Sequence, residues 1–465
     1  MPSLRLVATL TLILATAGCS AGKGDVPTTS PSPSETSRKG PAAGATEFRN
    51  VRIFDGHNDQ LSAPSNVRVK GNRIQRISTD PLPAEPGDTT TVIDGGGRTL
   101  MPGLIDNHWH TMFVRPSPAE AMSSDPGYIN LVAGAEAGDT LMRGFTTVRD
   151  LGGPSFGLKR AIDDGVIEGP RIFPSGAMIT VTSGHADFRT PADLPRSPGG
   201  TPSRQEELGA SMVADSPDEV RLRTREQLFL GASQIKLTAG GGVSSPHSPL
   251  DVVAFTEAEL RAATEAAGNW GTYVTVHAYT PATIRQAIRA GVGCIEHGHL
   301  MDEATAKELA DSGIWLSTQP LPEEMIGAFP PGSDEAAKAK EVIDGVDNVY
   351  RLARKYGIKT AFGTDILFSP QLAPMQGALL AQLGRWYTPA EVLTMATGTN
   401  AELLAMSGKR SPYSGKLGVV EEGALADLLL VDGDPLRNLE LVANPERNFK
   451  VIMKDGNVYK NTIHD

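Results

Sequence analysis

Two histidines one residue apart close an apolar run, Gly103-Leu104-Ile105-Asp106-Asn107-His108-Trp109-His110. Side chains alternate along a strand, so His108 and His110 share a face and can offer imidazole nitrogens to one divalent cation. Three more runs end in metal-ligating types: Thr272-Tyr273-Val274-Thr275-Val276 in His277, Gly293-Cys294-Ile295-Glu296 in His297, and Lys359-Thr360-Ala361-Phe362-Gly363-Thr364 in Asp365. Any one of these could be a satisfied buried side chain, but four such endings, each where a strand should meet its loop, are hard to assign to packing. Lys236 interrupts another apolar run, Ser233-Gln234-Ile235-Lys236-Leu237-Thr238. A lone buried ammonium is costly, so Lys236 needs a partner or a modification. Seven of the nine histidines lie between positions 108 and 299, which is where the chemistry is to be sought.

These residues must be positioned by the segment 102–407, where short apolar runs alternate with amphipathic stretches in the manner of parallel α/β domains. Strands are expected to end near His110, Arg149, Met178, Thr238, Ala278, Gly298, Gln319 and Asp365, with helices over 218–230, 256–267, 281–290 and 302–311. Eight strands in this span favour a closed (β/α)8 TIM-like barrel over an open doubly wound sheet, with the ligand-bearing ends at one mouth. Segments 47–101 and 408–465 instead alternate apolar and polar residues in short runs between Gly, Asn, Asp and Pro turns. They are expected to form a small β-sandwich domain assembled from both chain ends.

The N-terminus reads differently. Arg5, the apolar stretch from Leu6 to Ala15, and the small residues Ala17 and Gly18 before Cys19 make residues 1–19 a lipoprotein-type signal peptide, too short to span a bilayer comfortably. Residues 20–46 have the composition of a disordered tether. The expected location is therefore that of an exported bacterial lipoprotein, extracytoplasmic and joined to the membrane only through Cys19. The 465 residues are 40% hydrophobic and 21% charged, which suits a folded, water-soluble body. With 54 acidic against 43 basic side chains and a net charge of −11, a nucleic-acid binder is disfavoured. The two cysteines, Cys19 and Cys294, form no disulfide framework. No Ser-His-Asp constellation competes, and Gly240-Gly241-Gly242 lack the Lys-Ser or Lys-Thr of a phosphate-binding loop.

Taken together, Pro102-Gly103-Leu104-Ile105-Asp106 with His108 and His110, Lys236, His277, His297 and Asp365, in that order, resemble the amidohydrolase superfamily over the whole chain after the tether. Gln234-Ile235-Lys236, Gly240-Gly241-Gly242-Val243-Ser244-Ser245-Pro246, His277-Ala278-Tyr279, Ile295-Glu296-His297-Gly298 and Phe362-Gly363-Thr364-Asp365 resemble its prolidase-like and imidazolonepropionase-like branch. Gly423-Ala424-Leu425-Ala426-Asp427-Leu428 is similar to the superfamily's returning sheet. The resemblance implies two divalent ions, with zinc the default: His108, His110 and Asp365 on one, His277 and His297 on the other, and a CO2-derived carbamate on Lys236 between them. It further implies a hydroxide shared by the ions, Asp365 as the proton carrier, and His185 and Tyr279 as donors to the oxyanion.

What this implies functionally is a metal-dependent hydrolase of an amide bond, in dipeptides or N-acyl amino acids. Relatives include dipeptidases, carboxypeptidase-like enzymes and hydrolases of amide-linked mycotoxins such as ochratoxin. Cyclic-amidase or imidazolonepropionase-type activity and lactonase or phosphotriesterase activity stay open, as does a surface ligand-binding lipoprotein with a disused barrel. Arg189, shortly after His185, can be read as a bidentate clamp on a substrate carboxylate or as an exposed loop arginine. Ala186 stands after His185 where relatives often carry glycine. His247 and His299 are expected as exposed loop residues and Cys294 as a small buried hydrophobe. The expected partner is a small-molecule amide substrate, and self-association into a homo-oligomer is left open.

Overall fold

In the computed structural model the described residues are 44–85, 89–245 and 247–463; the expected signal peptide, Cys19 and all of the tether but its last three residues lie outside them. The described chain begins with five strands: β1 (Ala45–Ile53), β2 (Ser65–Lys70), β3 (Arg73–Ser78), β4 (Thr90–Asp94) and β5 (Thr99–Pro102). Ten short strands occupy the middle: β6 (Leu104–Trp109), β7 (Phe145–Asp150), β8 (Arg171–Pro174), β9 (Met178–Thr180), β10 (Ser211–Val213), β11 (Ile235–Thr238), β12 (Val274–Ala278), β13 (Cys294–His297), β14 (Trp315–Thr318) and β15 (Thr360–Phe362). Three close the chain: β16 (Leu428–Val431), β17 (Phe449–Lys454) and β18 (Asn457–Asn461).

The two chain ends meet in one eight-stranded sheet of order β18-β17-β16-β5-β1-β2-β3, with β4 beside β1. The pivot is β1, which pairs with β2 and β4 through its first residues and with β5 through Arg52 and Ile53. It starts at Ala45, two residues before the expected boundary, because Ala45 and Thr46 already pair with Lys70 and Val69. Alternation in the sequence becomes burial: Phe48, Val67, Val69, Leu428, Leu430, Val451 and Met453 enter one apolar cluster drawn from both ends. The turn between β17 and β18 is made by Asp455 and Gly456, both at positive φ, as a two-residue hairpin requires.

The middle strands are all parallel and fall into a seven-stranded sheet, β10-β9-β11-β12-β13-β14-β15, and a three-stranded sheet, β6-β7-β8. Nearly every residue in them is buried, which is why they read as continuous apolar runs rather than as alternation. Backbone contacts join the end of β15 to β6: Asp365 N donates to His108 O at 2.8 Å, and Trp109 and Ile366 form a parallel bridge. Helices between the strands follow their sequence signals. Pro217–Leu230, Glu257–Asn269, Pro281–Ala290 and Glu303–Ser312 lie within a few residues of expectation. Thr256 and Glu259 form a capping box, Asp302 caps Thr305 N, and Gly231, Gly291 and Gly313 take the left-handed conformation at the helix ends. Arg171 at the start of β8 ties this middle to the terminal sheet through Asp427 at 2.8 Å and Asp455 at 2.6 Å. No described helix is long and apolar enough to cross a membrane.

Candidate metal centre

The ligand-type side chains sit where parallel strands give way to loops. His108 is on β6 and His110 just past it, Lys236 is on β11, His277 on β12, His297 ends β13, and Asp365 follows β15. His297 and Asp365 leave their strands through positive φ, 77° and 56°. This conformation is uncommon for non-glycine residues and marks backbone held by its surroundings. The result is convergence. His108 Nε2 and His110 Nε2 both lie 3.1 Å from Asp365 Oδ1, and one ligand atom each of His108, His297 and Asp365 fall within 4.8 Å of one another. The His277 and His297 rings are 4.3 Å apart, and those of His108 and His297 5.0 Å.

The second nitrogen of each imidazole has its own partner. His110 Nδ1 faces Gly152 O at 3.4 Å and His277 Nε2 faces Gly241 O at 2.8 Å. Carbonyls only accept, so these nitrogens carry the protons. His297 Nδ1 meets Gln319 Oε1 at 2.8 Å, and His108 Nδ1 lies 2.9 Å from Glu296 Oε2. The nitrogens left for a cation are Nε2 of His108, His110 and His297 and Nδ1 of His277. Of these, His297 Nε2 is buried without any hydrogen-bond partner among the described residues.

Charge follows burial. Desolvation pushes His277 and His297 well below the usual imidazole range, so both are neutral, the form that ligates metal. Burial would raise Asp365, but the His108 charge and the contacts from His108 and His110 outweigh it and hold the carboxyl well below its ordinary value. Lys236 is 2% exposed, and desolvation pushes its ammonium down. It has no hydrogen bond or ion pair among the described residues. An unpaired buried amine beside a carboxylate and four imidazoles fits a cation site only once it has gained anionic ligand atoms, as a carbamate provides. The donor set of imidazoles, one ionised carboxylate and one modifiable amine therefore suits divalent metal.

His108, His110, His185, Lys236, His277, Tyr279, His297 and Asp365 all line one cavity of about 380 Å3. Ser245 fixes His185: its Oγ accepts from Ala186 N at 3.0 Å and lies 2.9 Å from His185 Nδ1, leaving Nε2 as the outward nitrogen. Burial lowers His185 to about 3, so it is neutral. Ala186 adopts φ 69°, the conformation a glycine takes easily, so alanine keeps the same turn at some cost in strain. Gly241 and Gly242 explain the glycine run, because a Cβ at Gly242 would lie 2.1 Å from the His185 ring and one at Gly241 1.6 Å from Pro249 O. Lys338, on the helix Asp334–Asp344, donates to Ser245 O at 2.8 Å and Gly242 O at 3.1 Å, holding the same loop from outside.

Arg189 does not line the cavity. Its Nε and Nη2 reach Asp187 at 2.8 Å each and Nη2 also reaches Thr182, so the structure gives it a partner within its own loop and the substrate-clamp reading no support. His299 is fully buried, not exposed, with Nε2 3.0 Å from Gln319 O, just past the neighbouring strand β14. His247 is exposed as expected. Cys294 is buried and free, and its Sγ touches Glu296 Oε1 at 3.4 Å. The sequence reading assigned no role to Glu296, Gln319, Arg149, Asp106 or Ser245. Asp106 accepts from Thr364 and Gln376 and thereby fixes the residue before Asp365. A polar residue inside an apolar run was the available signal for Glu296 and Arg149.

A set of strand-end imidazoles around a carboxylate and a lysine is the signature of a metal-dependent hydrolase, and comparison with known proteins agrees. Residues 99–463 match the model of the Amidohydrolase family, and the chain belongs to that family. It is a hydrolase acting on carbon–nitrogen bonds. Ochratoxinase of Aspergillus niger is 31% identical over 372 residues, 78% of this chain and 75% of its own. A prolidase solved with N-methylphosphonate-L-proline superposes with a TM-score of 0.82 at 31% identity, covering 90% of this chain and 100% of the prolidase. A Xaa-Pro dipeptidase with methionine in its active site gives 0.76 at 29%, with the same coverage.

Proposed function

We propose that the enzyme hydrolyses the amide bond of dipeptides or N-acyl amino acids bearing an apolar side group. One observation carries this: the six expected ligands line one cavity together with the apolar Phe188, Met325, Phe329, Ile343, Leu367 and Phe368, Glu335 being the acidic exception outside the ligand set. The similarity to an ochratoxinase, a prolidase and a Xaa-Pro dipeptidase supports the reading.

His108, His110 and Asp365 would hold one divalent ion, by default zinc, and His277 and His297 a second, with carboxylated Lys236 between. Bound there, such ions supply Lewis acidity and lower the pKa of a shared water toward neutrality. The chain does the rest. Asp365, ionised at neutral pH, accepts a proton and returns it to the leaving amine. His185 Nε2–H and the Tyr279 hydroxyl donate to the oxygen that gains charge as the carbonyl becomes tetrahedral. The apolar wall excludes water and seats the side group. The same proposal includes closure of the two parallel sheets into a (β/α)8 barrel, supported by the contacts between β15 and β6, and packing of the terminal sheet as a β-sandwich domain. It also includes export with a lipid anchor at Cys19, supported by the sequence of residues 1–19.

The test is a hydrolysis panel. Protein purified without chelator is expected to carry two metal equivalents and to release free amino acid from dipeptides or N-acyl amino acids, with activity lost on chelation and restored by zinc. Turnover of lactones, phosphotriesters or cyclic amides without any of these amides would replace the proposal.

A further inference from the structure

Glu296 has no part in the chemistry above, yet it is fully buried beside the ligands. Its Oε1 is saturated: Arg149 Nη2 donates at 2.7 Å, Thr275 Oγ1 donates as well, and Cys294 Sγ lies at 3.4 Å. Arg149 is itself fixed by Asn107 O at 2.7 Å and Tyr273 OH at 3.0 Å. The fully buried Arg149 guanidinium at 2.7 Å is the cation that pairs with the Glu296 carboxylate. Oε2 makes no hydrogen bond among the described residues and lies 2.9 Å from His108 Nδ1, which is also 3.2 Å from Gln319 Nε2. A buried ion pair seldom stabilises a fold more than apolar side chains of the same volume would, so this one calls for another role.

The four imidazoles differ in that role. His110, His277 and His297 set their second nitrogens against neutral oxygens of Gly152, Gly241 and Gln319, whereas His108 Nδ1 lies between a carboxylate oxygen at 2.9 Å and Gln319 Nε2 at 3.2 Å. An anionic acceptor on the far nitrogen fixes the tautomer and makes the near nitrogen a stronger donor to metal. We infer that Glu296, held by Arg149, is a positioning residue that strengthens His108 as a ligand and so selectively tightens the ion shared by His108, His110 and Asp365. This rests on the two-ion reading above.

The test compares wild type, Glu296→Gln and the paired variant Glu296→Gln/Arg149→Met, which leaves no unpaired buried charge. Zinc retained against a competing chelator is measured along with the melting temperature of the metal-free proteins. Both variants are expected to hold one of two zinc equivalents about 10- to 100-fold more weakly, the other within about twofold, while the paired variant melts near wild type without metal. Zinc held as tightly as in wild type by both variants, whatever their melting temperatures, makes the ion pair structural and overturns the inference without touching the two-ion reading. A wild type with one equivalent that Glu296→Gln releases at least tenfold more readily overturns the two-ion reading and keeps the assignment.

Discussion

At the base of the cavity the four ligand imidazoles are oriented twice, by the strand end that carries them and by a partner on the far nitrogen: Gly152 O, Gly241 O, Gln319 or Glu296. On the opposite wall Met325, Phe329 and Phe368 meet the cavity through apolar surface, on loops and a short helical turn. Hydrogen bonds there serve the backbone; Lys338, for instance, grips the carbonyls of Gly242 and Ser245. The difference separates two tasks. A cation and a moving proton require atoms placed to within a fraction of an ångström, and directional bonds on rigid strands supply that. Seating an apolar group requires area and shape, which loops can supply with other side chains in the same place.

The largest expected effect lies at the base. Lys236→Ala removes the proposed bridging ligand and should lower kcat/KM at least about 1000-fold, roughly 4 kcal/mol at 1.4 kcal/mol per tenfold. Short carboxylic acids such as propionate should restore part of it, and near wild-type turnover by the alanine variant would remove lysine from the chemistry.

Next comes stability, where His299 sharpens the comparison because it is buried behind the ligands without facing the cavity. Burial lowers it to about 4, against about 6.5 when unfolded. Between these values the unfolded chain binds more protons than the folded one, so stability falls as pH drops from about 6.5 toward 4. The effect is on the order of 3 kcal/mol at 1.4 kcal/mol per unit. His185, lowered to about 3, acts in the same direction. Urea denaturation of metal-free protein across this range should show a steeper decline for wild type than for His299→Gln; parallel curves would mean that His299 does not titrate on unfolding.

The smallest effect belongs to the apolar wall. Phe329→Ala should raise KM about fivefold for substrates with an apolar side group, near 1 kcal/mol of lost contact, with kcat and metal content little changed. A fall in kcat at constant KM would place Phe329 with the catalytic base instead.

The base was legible in the sequence and the wall was not, for the same reason. His108, His277, His297 and Asp365 announce themselves because a polar residue at the end of an apolar strand is a local anomaly visible within six residues. Glu296 and Arg149 carry a similar anomaly, but their role depends on a contact between β7 and β13 that no local pattern encodes. Phe329 and Phe368 look like any loop aromatics until the fold brings them to one surface. Arg189 is near His185 in sequence but does not line the cavity, and Asp187, two residues away, accepts from its Nε and Nη2. In the terminal sheet, alternation identified the strands, yet the pairing of β5 with β16 is a long-range outcome.

That pairing also sets an order of events. During synthesis β1 to β5 leave the ribosome well before β16, so the edge of β5 that takes β16 stays open until residues 428–431 have been made. Contacts of such sequence separation form slowly, and an unpaired strand edge invites wrong partners meanwhile. Leu100 and Met101, buried in the finished sheet, spend that interval without the strand that covers them. The edge of β5 is released from that hazard only when Leu428–Val431 pair with it.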